Sequence, residues 1–297
     1  MIVLSKLKSS DNVTKNVYSV KQGIIELSHI DKNDGRDIIC VPTMYYCKLG
    51  CKFCHMTNEQ TKNFPMKLIQ EEVMLKTLEH FIKDNNINKN KLLLSFMGVG
   101  EPTLNFEMIE YLWDNRAKFG ENKIVEFALA TMFPSHNMFK EMEKIILDKK
   151  IPVKIYGSLH SVNDDLRKDL IPHSNVSVRQ CFELLKEYNE KAKGKVKLHK
   201  SNNAVSFHYT IIDKVNDSEL EQLKQLTEEY KIPIKLIVFN EVNGLNKYDD
   251  YLSWQKALSK IVPCSIYLPP GKEIGSSCGQ LTLQYYLKHG SRTKEEL

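Results

Sequence analysis

CKLGCKFC, residues 47 to 54, places three cysteines within eight residues in the spacing CxxxCxxC. Thiolates so close along a chain converge on one centre when they bind metal, and three ligands instead of four leave one coordination position open. A structural zinc site is the alternative. It would need a fourth ligand from a distant residue, because His55 is too close in sequence. The stretch predicts a metal centre held by Cys47, Cys51 and Cys54.

The composition is that of an ordinary globular protein. The 297-residue chain is 42% hydrophobic and 27% charged, and no apolar run approaches the roughly 18 residues that a membrane span needs. The N-terminus has no basic region or cleavage site of a secretory signal, so we expect a cytoplasmic protein without a membrane partner. In a reducing compartment, seven cysteines indicate metal binding or catalysis before crosslinks.

Apolar, strand-like runs alternate with helical patterns along most of the chain. This alternation predicts an α/β fold with a mostly parallel sheet, and six such units suit a barrel or partial barrel. A doubly wound open sheet is the alternative. The first forty residues lack this rhythm, and residues 18–30 predict one or two extra strands. The predicted strands of the barrel are 38–41, 92–97, 124–131, 153–158, 204–212 and 234–239.

Several predicted strands end in residues suited to holding a ligand, which is where barrels gather their chemistry. The first strand leads into the three cysteines. The second leads into GVGEP, residues 98 to 102, whose glycines let backbone approach a ligand and whose Glu101 can pair with an ammonium group. The fourth ends in SLH, residues 158 to 160, and the sixth in Asn240. One such ending is usually a simple turn or cap, but four in succession predict a ligand site.

Five motifs in order carry a resemblance to a known family. Together they resemble the RlmN/Cfr family of radical S-adenosylmethionine (radical SAM) RNA adenine methyltransferases, from about residue 24 to residue 285. Cys40, seven residues before Cys47, and the C-terminal CGQL make the resemblance specific. The motifs are CVPTMYYCKLGCKFC (40–54), FMGVGEPTLN (96–105), SLHSVNDDLRKDLIP (158–172), VNDS (215–218) and GSSCGQL (275–281).

The resemblance implies a fold and a division of the chain. The fold is a partial (β/α)6 TIM-like barrel of the radical SAM type with a short N-terminal β extension. We expect the extension to cover residues 1–36, and the barrel with a C-terminal methyl-carrier loop to cover 37–297.

The resemblance also implies the cofactors and the mechanism. A [4Fe–4S] cluster on Cys47, Cys51 and Cys54 and two molecules of SAM serve each turnover. Cys278 takes a methyl group from the first SAM, and a 5′-deoxyadenosyl radical from the second removes hydrogen from that S-methyl group. The carbon radical attacks C2 or C8 of an adenine in rRNA or tRNA. Cys40 then removes a proton and forms a disulfide with Cys278, which releases the product.

The remaining site residues follow from the same resemblance. Glu26 matches a glutamate sometimes assigned as a proton acceptor, although a glutamate at an exposed strand edge is the alternative. Thr131 follows Ala130 where the family has a serine, so one hydrogen bond to SAM is lost or passes to Thr131. The residues implied to bind SAM are Gly100, Glu101, Thr131, Ser158, Leu159, His160 and Asn240.

The departures from the family pattern concern the substrate. Only 39 residues precede Cys40, so we expect most or all of the family's RNA-gripping helical domain to be missing, and Tyr267 stands where the family has an arginine. The lysine-rich stretch 191–200 suits phosphate contacts or a solvated face. RNA and an electron donor of the flavodoxin or ferredoxin type are the expected partners of a monomer. The alternatives are the same chemistry on a nucleotide, peptide or small molecule, and a non-catalytic metal-binding or redox-switch protein.

Anaerobic purification separates the iron–sulfur centre from zinc. We expect a brown protein whose colour and iron survive replacement of Cys278 and are lost with Cys51→Ala, because Cys51, unlike Cys278, is a predicted cluster ligand. Visible absorption and iron and zinc analysis measure this. A colourless protein that holds zinc would contradict the radical chemistry.

Overall fold

The computed structural model describes residues 1–32, 34–120, 123–199, 201, 203–212, 217–239, 242, 244–246, 249–275 and 279–290. Asn240 and Cys278 lie outside the described residues. The chain folds into two compact units. Unit 1 comprises residues 1–48, 55–128 and 270–297, and unit 2 comprises 49–54 and 129–269.

Strands and α-helices alternate from residue 71 onward, except that the helices Asp164–Leu170 and Val178–Ala192 are consecutive. Four short 3-10 helices lie at Glu59–Thr61, Pro102–Leu104, Arg116–Phe119 and Lys272–Ile274. The other elements, in chain order, are β1 (Ile2–Lys8), β2 (Val13–Val20), β3 (Gly23–Lys32), β4 (Arg36–Cys40), β5 (Met44–Tyr46), β6 (Lys67–Leu68), α1 (Glu71–Asp84), β7 (Lys91–Phe96), α2 (Phe106–Asp114), β8 (Ile124–Thr131), α3 (His136–Lys149), β9 (Val153–Ser158), α4 (Asp164–Leu170), α5 (Val178–Ala192), β10 (Val205–Thr210), α6 (Asp217–Tyr230), β11 (Ile234–Ile237), α7 (Tyr251–Leu258), β12 (Cys264–Tyr267) and α8 (Gln280–His289).

Unit 1 joins an antiparallel region to the start of a parallel sheet. The strand order is β1-β2-β3-β4-β7, followed by the first five residues of β8. The pairs among β1 to β4 are antiparallel, whereas β4 and β7 are parallel. Phe96 of β7 and Phe127 of β8 stack with their ring centroids 5.8 Å apart, and both side chains are buried. Their burial removes apolar surface from water and fixes this part of the core.

Unit 2 continues with parallel strands and helices. The last three residues of β8 are followed by β9, β10, β11 and β12, and the pairs from β9 to β12 are parallel. Alternate residues of β9 are buried, which is the two-residue period of a strand with different faces. Phe182 of α5 packs against Phe207 of β10, with 4.4 Å between ring centroids. The helices therefore cover one face of these strands and leave the other face to side chains such as Tyr156.

The structure confirms the predicted fold class. The six predicted barrel strands correspond to β4, β7, β8, β9, β10 and β11, with bounds that differ by no more than two residues. The antiparallel region is longer than the expected strands over 18–30, because β1 and the first half of β2 also belong to it. No sequence signal identified β1, since its residues are mostly half-exposed and lack an apolar face. The division at residues 36 and 37 stays a prediction.

No helix in the described ranges has the length and apolar character needed to cross a membrane.

Candidate active site

The predicted site residues are distributed over both units, and each set is described within its own unit. In unit 1, Cys40 is the last residue of β4 and is half-buried. It is paired in register with Ser28 of β3 and Ser95 of β7. A cysteine between two serine-bearing strands at a strand end has a polar, accessible setting, which suits a reactive thiol better than a core position does.

Gly100 and Glu101 form a tight turn after β7. Gly100 has φ +117°, and a Cβ there would lie 2.3 Å from Oγ1 of Thr43, so only glycine fits. The buried Glu101 begins the 3-10 helix Pro102–Leu104, and its Oε1 accepts hydrogen bonds from N and Oγ1 of Thr103 at 3.2 and 2.8 Å. This capping fixes the orientation of the carboxylate.

Glu26 lies inside unit 1 and not at an exposed strand edge. Its carboxylate accepts hydrogen bonds from the buried Lys15, from N of Gly279, and from N and Oγ1 of Thr282. These contacts tie β3 to the start of α8. The alternative of an exposed glutamate is therefore wrong, whereas the predicted role as a proton acceptor stays a prediction.

In unit 2, the end of the cysteine loop is held by the segment after β9. The amide of Lys52 donates to the Leu170 carbonyl at 3.0 Å, and its ammonium pairs with Asp169. Nδ1 of His173 lies 2.9 Å from the Leu49 carbonyl. The motif SLHSVNDDLRKDLIP therefore has a physical role, since its helix and following turn fix the backbone of residues 49–54.

Cys51 and Cys54 belong to one turn of this loop. The amide of Cys54 donates to the carbonyl of Cys51 at 3.0 Å, and Sγ of Cys51 lies 3.7 Å from Sδ of Met132. Both cysteines are half-buried, as is Cys47 in unit 1. Three accessible thiols are the donor set that iron–sulfur clusters use, so the residue types fit the group. Among the described residues no three His, Cys, Asp or Glu side chains stand in metal-binding geometry, so the assignment rests on spacing.

The end of β9 presents a neutral histidine. His160 has φ +59°, and its Nδ1 accepts a hydrogen bond from the amide of Thr210 at 3.0 Å, which leaves the proton on Nε2. Burial, with a smaller effect from Arg167, lowers the pKa of His160 to about 3. Its ring packs on Phe53, with centroids 4.3 Å apart. The imidazole is thus a fixed neutral donor at physiological pH.

The other residues predicted to bind SAM in unit 2 also lie at strand ends. Leu159 is fully buried, and its amide donates to the carbonyl of His208 at 3.1 Å. Oγ1 of the buried Thr131 accepts from the amide of Phe133 at 3.0 Å, so this hydroxyl already stabilises a turn. Ser158 ends β9 and is half-buried. Whether these residues bind SAM stays a prediction.

Arg167 is a site residue that sequence reasoning missed. Its buried guanidinium donates to the carbonyls of Met132, Ser158 and Val176 and to Oγ of Ser174, at 2.7 to 3.2 Å. It therefore holds the ends of β8 and β9 together. The quoted motif contains this arginine, but no spacing rule distinguishes a buried arginine from a solvated helix charge.

A polar surface on one face of the parallel strands was also missed. Tyr156 of β9 stacks on His208 of β10 with centroids 4.3 Å apart, and the ammonium groups of Lys154 and Lys235 lie 5.4 and 4.5 Å from the Tyr156 centroid. The ring centroid of Tyr267, which stands where the family has an arginine, lies 5.4 Å from the Lys235 ammonium. These cations favour an anionic group nearby.

The basic stretch 191–200 is partly explained by structural ion pairs. Lys191 at the end of α5 pairs with Glu143 of α3 and with Glu187, and these carboxylates raise the pKa of its ammonium. Lys200 lies outside the described residues. At Lys191 the charge therefore serves helix packing.

Cys181 and Cys264 match no motif. Burial raises the pKa of Cys181 to about 11 and that of Cys264 to about 12. Both therefore stay protonated at neutral pH and are poor nucleophiles.

A family model for the radical SAM superfamily matches residues 41–227, which is more than half of the chain. The chain belongs to the radical SAM superfamily. It is accordingly an enzyme that uses a [4Fe–4S] cluster and SAM. The matched region includes the three predicted cluster cysteines.

Curated relatives define the class more narrowly. A probable dual-specificity RNA methyltransferase RlmN of Staphylococcus saprophyticus is 25% identical over 295 residues, which cover 95% of this chain and 75% of that protein. A protein of Clostridium botulinum with the same description is 27% identical over 301 aligned residues, covering 96% of this chain and 81% of that protein. The predicted class, a radical SAM methyltransferase of the RlmN/Cfr type, is confirmed.

Solved structures confirm the fold. A radical SAM methyltransferase from Sphaerobacter thermophilus matches with a TM-score of 0.77 at 19% identity, over 94% of this chain and 80% of that one. A queuine lyase from Clostridium spiroforme, bound to SAM and queuine, matches with a TM-score of 0.52 at 15% identity, over 83% of this chain and 96% of that one. The partial barrel is therefore the fold of the chain.

The neutral state of His160 predicts a pH dependence of stability. Because its pKa in the folded protein is far below the ordinary 6.5, the unfolded chain takes up a proton below pH 6.5 that the folded protein does not. As the pH falls below 6.5, the contribution of His160 to the free energy of unfolding decreases by about 1.4 kcal/mol per pH unit, or roughly 2 kcal/mol down to pH 5. Between pH 7.5 and 5.0, urea unfolding should show a smaller loss in the free energy of unfolding for His160→Asn than for the intact protein. Asparagine is chosen because it tolerates positive φ. Equal losses in both proteins would contradict this.

Proposed function

We propose that this RlmN-like radical SAM methyltransferase methylates an adenine ring carbon, C2 or C8, in rRNA or tRNA, with Cys278 as methyl carrier and Cys40 as its redox partner. The observation that carries the proposal is the extent of the similarity to RlmN proteins. It spans about 95% of the chain, and the motifs around Cys40 and Cys278 lie within it.

The chemistry requires such a carrier. The ring carbon is electron-poor and has no lone pair, so it cannot displace a methyl group from the sulfonium of SAM. The Cys278 thiolate can, because a thiolate is a strong nucleophile. Cys47, Cys51 and Cys54 would hold the [4Fe–4S] cluster, which would supply the electron for reductive cleavage of a second SAM and so provide the 5′-deoxyadenosyl radical.

Cys40 completes the reaction. After the S-methyl group of Cys278 has given a hydrogen atom to the 5′-deoxyadenosyl radical and its carbon has joined the ring, the ring-centred radical would return one electron to the bound cluster. Cys40 then removes the ring proton. The thiolate of Cys40 then bonds to the sulfur of Cys278 while the carbon–sulfur bond breaks. The electron pair of that bond goes to the methylene carbon on the ring, which takes up a proton and becomes the methyl group. The resulting disulfide must be reduced by thiols before the next turnover.

The other site residues have proposed positions in this scheme. Cys47, Cys51 and Cys54 hold the cluster. Residues at the strand ends bind SAM, with Glu101 facing its ammonium group and the neutral His160 donating a hydrogen bond from Nε2. This set also includes Gly100, Thr131, Ser158, Leu159 and Asn240.

RNA as substrate is supported by charge as well as by similarity. Lys154 and Lys235, on the face that carries Tyr156, favour an anionic substrate such as a phosphodiester. We further propose a one-electron donor of the flavodoxin or ferredoxin type, a monomeric enzyme, and a reducing, cytoplasmic setting in which thiols reset the disulfide.

Mass spectrometry tests the carrier and the substrate separately. In anaerobically prepared protein with SAM, we expect the Cys278 peptide to be heavier by one methyl group, and we expect methyladenosine in bulk RNA to depend on the gene. Cys278→Ala should abolish both the peptide modification and the methyladenosine. Cys40→Ala should leave the RNA covalently bonded to Cys278 through the methylene carbon, because the carbon–sulfur bond is not broken. Cys264→Ala is the matched control and should keep both signals, because Cys264 is a protonated thiol without a role in the scheme.

The two results fail independently. An unmodified Cys278 peptide under all conditions refutes the mechanism. A modified peptide without gene-dependent methyladenosine refutes only the RNA assignment and directs the search to nucleotides, peptides or small molecules.

A further inference from the structure

We propose that a buried ion pair, Lys15 with Glu26, positions the methyl-carrier loop by holding the residues on both sides of Cys278. This inference rests on the proposed function, in which Cys278 carries the methyl group. We call the pair, together with the groups it binds on Gly275, Gly279 and Thr282, the carrier clamp. All of these residues belong to unit 1.

Lys15 holds the residue before the segment that contains Cys278. Its side chain is fully buried, and its Nζ lies 2.6 Å from Oε1 of Glu26 and 2.6 Å from the carbonyl oxygen of Gly275. A buried ammonium group needs several acceptors in place of water. Glu26 and Gly275 supply two of them. The Gly275 carbonyl is therefore held in place by the same ammonium group that pairs with Glu26 of β3.

Glu26 holds the residues after that segment. Its Oε1 accepts from the amide of Gly279 at 3.1 Å, and its Oε2 accepts from the amide and Oγ1 of Thr282 at 2.9 and 3.1 Å. Gly279 is the N-cap residue of α8 and has no side chain that could cap the helix. Glu26 supplies this cap from another strand, and its negative charge suits the positive end of the helix dipole.

Two glycines fix how the backbone enters and leaves the segment. Gly275 has φ +61° and Gly279 has φ +82°, in the left-handed region that favours glycine. A Cβ on Gly279 would lie 2.7 Å from Cγ2 of Val99 and 2.8 Å from Sδ of Met56. The residue next to Cys278 is therefore packed tightly against the unit 1 core as well as bonded to Glu26.

The base of the clamp lies within regular sheet structure. Lys15 and Glu26 lie on adjacent antiparallel strands, where Val17 pairs with Glu26 and Lys15 pairs with Ser28. Buried ion pairs add little net stability compared with apolar residues, but loss of one partner leaves an uncompensated charge. The pair is thus better explained by the geometry that it imposes than by the stability that it adds.

The clamp also argues against Glu26 as the proton acceptor. Both of its carboxylate oxygens already accept hydrogen bonds, and a proton placed on either oxygen would disrupt contacts to Lys15 or to α8. Glu26 is therefore a positioning residue for the step that Cys278 carries out.

The test compares four variants of the clamp and one control variant with the intact protein. Lys15→Met and Glu26→Gln remove the charge pair, Thr282→Val removes one hydroxyl contact, and Thr282→Ser should restore it. His29→Leu is the matched control, because it removes another buried polar pair on β3, in which Nε2 of His29 lies 2.9 Å from Oδ1 of Asp37.

Hydrogen exchange measures the clamp without any catalytic turnover. For Lys15→Met and Glu26→Gln we expect the amides of Gly279 and Thr282 to exchange about tenfold faster or more. Glu26→Gln removes the charged acceptor of both amides, and Lys15→Met removes the ammonium group that holds this acceptor in place. Thr282→Val should show a smaller increase, and Thr282→Ser and His29→Leu should show none at these amides. Unchanged exchange in both charge variants, or an equal increase in His29→Leu, would overturn the clamp.

Coupling of the reaction measures the consequence. In Lys15→Met and Glu26→Gln, the ratio of methylated product to 5′-deoxyadenosine should fall about tenfold, because SAM is still cleaved while the methyl group is misplaced. Cluster content should not change. An unchanged ratio overturns the positioning role. A wild-type protein that never carries a methyl group on Cys278 refutes the proposed function. In that case hydrogen exchange alone tests whether the ion pair holds the residues on both sides of Cys278.

Discussion

One buried charge pair constrains the region around the proposed methyl carrier. Lys15 and Glu26 are both removed from water, so each requires the other, and the remaining polar atoms require further partners. Gly275, Gly279 and Thr282 provide those partners. The antiparallel strands at the N-terminus, far from the carrier in sequence, consequently set where the backbone on either side of Cys278 lies.

In unit 2 a second buried cation has a related role. Arg167 satisfies carbonyls at the ends of β8 and β9, where the backbone leaves the sheet and its carbonyls lose their strand partners. The neighbouring His160 stays neutral because burial disfavours its charged form. In both units, therefore, buried charged groups hydrogen-bond to the backbone beside the proposed site residues and fix its position, as a site for radical chemistry requires.

The sequence predicted most of the architecture, because alternating strands and helices follow from hydrophobic periodicity, which depends on nearby residues. It also identified Cys40, Cys51, Glu101 and His160 as residues of strand ends and their loops. It could not predict the partners of Glu26 or Arg167, since contacts between distant residues leave no periodic signal. Cys278 and Asn240 lie outside the described residues, so their roles still depend on motifs alone.

The central claim is that the methyl group passes through Cys278 and loses one hydrogen atom there. Turnover with SAM that carries a trideuterated methyl group tests this most directly, with mass spectrometry of both products after several cycles. We expect a product methyl group with two deuterium atoms and 5′-deoxyadenosine with one. A product that retains all three deuterium atoms, with none in 5′-deoxyadenosine, would contradict it.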